Sequence, residues 1–178
     1  VVFTPQDLGD KFTASILHLS SGKAVSANNS NNVVIQSYTG NENQLWLFER
    51  MDDRMYKISN VATSLCLDED NYGTTDNTNI KVIGSNNELA QRWYIWKNGA
   101  GYSLVPKCAM NLAMDLVDGN TTDGNNLAAW TCVSGNSNQI FSITPITFLI
   151  DKMVTVSNVT TTSDAVSVRP NVTVKVDN

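Results

Sequence analysis

The sequence predicts an all-β fold: a β-trefoil of three repeats of about 47 residues, followed by a β-rich C-terminal extension. Three observations predict it. A Gln-x-aromatic mark recurs as Gln44-Leu45-Trp46, Gln91-Arg92-Trp93 and Gln139-Ile140-Phe141, with 47 residues from the first to the second and 48 from the second to the third. Each mark follows a Gly- or Asn-rich stretch (Thr39-Gly40-Asn41, Gly84-Ser85-Asn86-Asn87, Ser134-Gly135-Asn136). No segment carries the apolar period of an amphipathic helix of three turns. A fixed period is the signature of one supersecondary unit used repeatedly. Three units are too few for a propeller, and closure into a barrel leaves short strands without exposed edges.

The elements follow in order. Ile16-Leu17-His18-Leu19 reads as an early strand with His18 facing outward. Val33-Val34-Ile35, Ile80-Lys81-Val82-Ile83 and Leu127-Ala128-Ala129-Trp130 are apolar runs bounded by turn residues, as short strands require. Trp46-Leu47-Phe48 and Trp93-Tyr94-Ile95-Trp96 start a strand at the mark itself. Asn98-Gly99 and Asp118-Gly119 are hairpin-turn pairs. Leu67-Asp68 and Met114-Asp115 recur at one place in the second and third repeats, where the first has Val25-Ser26. Four strands per repeat give a trefoil domain over residues 1–145. After Pro145 the pattern becomes strict alternation, as in Val154-Thr155-Val156-Ser157, Val166-Ser167-Val168 and Val172-Thr173-Val174-Lys175-Val176. Two or three strands build no core alone. Residues 146–178 are therefore expected to pair with the trefoil, with a second copy in a homodimer, or with a neighbouring domain.

Composition narrows the partners. Lys plus Arg number 12 and Asp plus Glu 17, a net charge of −5, and the pI is about 4.7. An acidic chain lacks the basic footprint of a nucleic-acid binder and has no attraction to an anionic membrane. No apolar run approaches the ~20 residues of a membrane span. Polarity rests on uncharged groups, with 22 Asn and 17 Thr against only 16% charged residues. Asn-x-Ser/Thr sequons begin at Asn28, Asn120, Asn158 and Asn171. The expected compartment is extracellular, with an intracellular one as the alternative, and the chain reads as a mature product or fragment, because Val1 opens no leader pattern.

These marks, the Leu-Asp and Met-Asp steps, and the run from Ala129 to Phe141 resemble a ricin-type β-trefoil lectin over roughly residues 12–144. The resemblance is strong in the third repeat and holds in outline in the other two. It implies up to one shallow sugar pocket per repeat. A carboxylate would accept hydrogen bonds from two adjacent sugar hydroxyls. A ring on the third strand would face the apolar side of the pyranose. An Asn would bond the same hydroxyls, and the marked Gln would support the carboxylate from behind. The marked Trp or Phe belongs in the barrel core.

Carried onto this chain, the third repeat has the full set: Asp115 as carboxylate, Trp130 as ring, Asn138 as polar partner and Gln139 as support. One extra residue between Trp130 and Gln139 implies a bulged turn at Val133 to Ser137. The second repeat keeps Asp68 and Gln91, with Ile83 at the ring position and Ala90 in place of the Asn. The first keeps Asn43 and Gln44, with Ser26 for the carboxylate and Gln36 for the ring, which Tyr38 could replace. The implied partners are glycans and glycoproteins, with galactose and N-acetylgalactosamine first. No catalytic role, cofactor or metal is expected. The same residues have plainer readings: Trp130 as an interior ring, and Asp115 as a turn-forming Asp bonding its own backbone. Trefoils also serve as protease inhibitors and interaction scaffolds, or as accessory modules of glycoside hydrolases or toxins.

Two further constellations have weaker grounds. Asp68 to Asn79 matches a calcium loop at positions one, three and six, but it lacks the bidentate Glu at position twelve and reads as an acidic turn. Three cysteines allow at most one internal bridge. By the family pattern Cys132 sits where a disulfide partner is often found, with Ala113 at the usual mate position, so Cys108–Cys132 is the remaining candidate. Three reduced thiols are the alternative.

Overall fold

A computed structural model describes residues 4–146. The strands expected after Pro145, and their pairing with a second copy, lie outside the described residues. Twelve strands form four per repeat. The first repeat holds β1 (Lys11–His18), β2 (Ala24–Ala27), β3 (Val33–Gln36) and β4 (Leu45–Arg50). The second holds β5 (Tyr56–Asn60), β6 (Cys66–Glu69), β7 (Thr78–Ile83) and β8 (Trp93–Asn98). The third holds β9 (Gly101–Pro106), β10 (Leu112–Leu116), β11 (Leu127–Thr131) and β12 (Phe141–Pro145). No helix among the described residues is long and apolar enough to cross a membrane.

Six strands close the barrel in the ring β1-β4-β5-β8-β9-β12, which β12 completes against β1. The hairpins β2–β3, β6–β7 and β10–β11 form the remaining layer. The aromatic of each mark is fully buried: Trp46, Trp93 and Phe141 are all 0% exposed. Trp46 Nε1 donates to the Val25 carbonyl and Trp93 Nε1 to the Leu67 carbonyl, each at 3.0 Å, so each indole ties the barrel to its own hairpin. The Asn98-Gly99 pair turns β8 into β9, and Asn98 pairs with Gly101. Gly99 takes φ +56°, a region that penalises a Cβ.

The hairpin layer closes on a ring of amides. Asn32 donates to Asn126 at 2.7 Å, Asn126 to Asn79 at 3.0 Å, and Asn79 to Asn32 at 2.8 Å. Each amide gives and receives once, one residue from each repeat, so three half-buried polar side chains satisfy one another.

Three expectations are corrected. His18 does not face outward. It is 2% exposed, because the β1–β2 turn and the Ser137 segment close over it and satisfy both ring nitrogens. The cysteines are all free. Cys108 Sγ donates to Glu69 Oε2 at 3.3 Å across the repeat boundary, while Cys132 is buried in a separate cluster with Ala113 and Val105. Asp118-Gly119 does not form a two-residue hairpin tip. It lies in a single 3-10 turn, Val117–Gly119, that begins a longer connection from Leu116 to Leu127.

Candidate functional site

The third repeat brings its expected residues together. β10 and β11 pair with Ala113 opposite Trp130 and Asp115 opposite Ala128. Side chains alternate along a strand. Leu112, Met114 and Leu116 therefore enter the barrel core, and Asp115 points to the other face, the face of Trp130. Ala113 and Ala128 are small, which leaves room beside the carboxyl and the indole. Trp130 is partly exposed and stays outside the core. Asp115 lies on a strand, not in a turn, so the turn-forming reading does not hold.

Two 3-10 turns complete the walls. Ser137–Gln139 packs on β10, and Asn136 Nδ2 approaches Asp115 Oδ2 at 3.5 Å. The Asn138 amide lies against Gly119, where a Cβ would stand 3.0 Å from Asn138 Oδ1. Gly119 also has φ +63°, so both this close contact and its backbone favour glycine. Asp115, Asp118, Trp130, Asn136 and Asn138 line a depression of about 190 Å³.

Gln139 is buried behind this surface. Its Nε2 donates to the Thr131 carbonyl at 2.9 Å, and its Oε1 accepts from Val133 N–H at 2.9 Å. Gln44 and Gln91 do the same for their loops, reaching Ser37 and Gly84 carbonyls seven positions back, whereas Gln139 reaches eight. The extra residue of the third repeat is thus taken up between Thr131 and Gln139, where Gly135 adopts φ +78°. Each mark is first a clamp on the loop before it.

Asp115 is the electrostatic centre. Burial pushes its pKa from the ordinary 3.8 to about 6, a hydrogen bond from Gln139 opposes the rise, and the Asp76 and Asp118 charges add to it. A carboxylate held among amide donors, with unused acceptor capacity, can receive hydroxyl hydrogen bonds. The adjacent indole offers an apolar face.

The other repeats differ. In the first, Asn43 Nδ2 donates to Ser26 Oγ at 2.9 Å, so these two side chains engage each other. Tyr38 is 45% exposed, and its hydroxyl lies by Gly40, 3.8 Å from where a Cβ would stand. In the second, Asp68 is raised by burial, against a Gln91 hydrogen bond and the Lys81 charge. Lys81 pairs with Asp70. Tyr72, at φ +55°, occupies the place of Gly119. A larger hollow of about 690 Å³ lies at Asp10, Arg50 and Arg54. No ring lines it, and Arg50 is already paired with Asp7 at 2.8 Å and with Asp10.

A family model for the ricin-type β-trefoil lectin domain matches residues 12–145. The chain belongs to this family. Among solved structures, the lectin domain is similar to ThreeFoil, a designed threefold-symmetric protein, at 28% identity and a TM-score of 0.71, over 75% of this chain and 99% of that one. It is similar to a mosquitocidal holotoxin at 27% identity and a TM-score of 0.71, over 82% of this chain but 18% of that one. A Macrolepiota procera ricin B-like lectin in complex with lactose shares the fold at 19% identity and a TM-score of 0.67, over 78% of this chain and 99% of that one. No curated protein matches. Family membership and lectin neighbours support carbohydrate binding by this ricin-type domain.

Three residues of the site were not picked out from sequence. Asp118 and Asn136 line the depression beside Asp115. Asp76, from the second repeat, accepts Thr131 N–H at 2.6 Å and Thr131 Oγ1–H at 2.7 Å, and so fixes the residue next to Trp130. Its signal was present: Asp123 lies 47 residues on and grips Ser37 N–H at 2.8 Å in the same manner.

Proposed function

We propose that this ricin-type domain binds galactose- or N-acetylgalactosamine-type glycans through its third repeat, without catalysis of its own. The observation that carries the reading is the shared depression of Asp115, Trp130 and Asn138. In it the ionised Asp115 accepts two adjacent sugar hydroxyls, the Trp130 face covers the C–H side of the ring, and Asn136 and Asn138 bond the remaining polar edge. Gln139 holds the carboxylate and the loop without touching sugar. The sugar identity comes from family resemblance. One shallow site of this kind gives a Kd of about 1 mM. Useful avidity then needs several copies or a partner domain. Isothermal titration with galactose tests the reading. Asp115→Ala and Trp130→Ala should each remove binding while the thermal transition stays cooperative. Unaltered binding by either variant refutes the assignment.

A second reading, as an accessory module of a larger protein such as a toxin, is favoured by the 27% identity with a small part of the holotoxin. Sequencing the whole gene product decides it.

A further inference from the structure

The single histidine of the chain sits in the first repeat, 119 residues away in sequence from its main partner. His18 Nε2 lies 2.9 Å from the Ser137 carbonyl oxygen, and Nδ1 lies 2.9 Å from Ser21 Oγ. A carbonyl only accepts, so Nε2 carries the proton, and the neutral ring receives the Ser21 hydroxyl at Nδ1. Lys23 N–H donates to Ser21 Oγ at 3.3 Å and holds that hydroxyl in turn. The imidazole packs edge-on against Phe141, with centroids 5.7 Å apart, inside the barrel wall.

Ser137 is flanked by Asn136 and Asn138, two of the five residues that line the third-repeat depression. Among the described residues, its carbonyl accepts, apart from His18, a long 3.4 Å bond from Ile140 N–H. We propose that His18 is a positioning residue for the third-repeat site: its Nε2–H anchors the Ser137 carbonyl and so sets Asn136 and Asn138 against Asp115 and Trp130. The sugar-binding part of this inference rests on the function proposed above, while the anchoring part does not. The first repeat, which lacks its own carboxylate, thereby contributes to the site of the third.

The test compares His18→Leu, which removes the donor, with His18→Gln, whose side-chain amide can place a donor near Nε2. Amide NMR spectra are recorded without sugar and then along a galactose titration. In the absence of sugar, the Asn136 and Asn138 side-chain amides should move in His18→Leu and return towards wild type in His18→Gln. In the titration, His18→Leu should weaken galactose about three- to tenfold, the worth of one net hydrogen bond, and His18→Gln should restore it. Unmoved Asn136 and Asn138 signals in a folded His18→Leu, or equal losses in both variants, would overturn the proposal. If wild type shows no galactose response, the proposed function fails, and the sugar-free spectra still decide the anchoring. If His18→Leu does not fold, Ser21→Ala replaces it: the same amides should shift, and their constancy would overturn the anchor.

Discussion

Asp115→Asn should stabilise the protein and silence it together. The side chain is 4% exposed, and burial raises its pKa from 3.8 to about 6. At about 1.4 kcal/mol per pH unit, that rise amounts to about 3 kcal/mol. The folded state binds this proton more tightly than the unfolded chain. Asp115 therefore adds no penalty below about pH 4, removes stability as pH rises from about 4 to 6, and imposes the full penalty above pH 6. Asparagine keeps the shape and one acceptor oxygen without the charge. Urea unfolding should show Asp115→Asn more stable than wild type by about 2–3 kcal/mol at pH 8, with the gain vanishing near pH 4. Galactose binding should be lost at both, because one acceptor oxygen becomes a donor. An equal ΔΔG at pH 8 and pH 4, or a variant less stable at pH 8, would refute the reasoning.

Wild-type galactose affinity should fall about tenfold per pH unit below pH 6 as Asp115 protonates, measured by titration calorimetry; a flat profile from pH 7 to 5 would contradict it. Asp76→Ala should loosen Thr131 and weaken galactose severalfold, and should shift the pH midpoint of binding downward, since the Asp76 charge helps raise Asp115. Trp93→Phe should lower stability by about 2 kcal/mol, because the Leu67 carbonyl loses its 3.0 Å buried donor; denaturant unfolding measures this. A thiol reagent under denaturing, non-reducing conditions should find three equivalents; one equivalent would mean that a disulfide had formed.

The barrel was legible because its signal is periodic. Buried Gln-x-aromatic marks at 47 and 48 residues fix three equivalent strands, and the apolar runs between them supply the others. The Asp115, Trp130 and Asn138 grouping was legible for the same reason: one repeat retains a complete pattern. What stayed hidden depends on direction in space. His18 reads as an outward residue on an alternating strand, yet a segment 119 residues later covers it. Cys108 and Cys132 are close in sequence, but one thiol turns to Glu69 and the other into a different cluster. The ring of Asn32, Asn79 and Asn126 repeats at 47 residues, but in a chain with 22 Asn that period is lost among chance matches.

The site proposed in the third repeat draws on all three repeats. Its carboxylate and ring come from one hairpin. Asp76 of the second repeat fixes the end of that hairpin, and His18 of the first holds the loop that faces it. The first two repeats thus support the third through Asp76 and His18, although their own pockets have diverged.

Galactose titration followed at the Trp130 indole N–H tests the central claim most directly. Saturable movement of that resonance, together with the Asn136 and Asn138 amides and without response at Tyr38 or Tyr72, is the predicted result. Saturable binding that leaves Trp130 unmoved would contradict it.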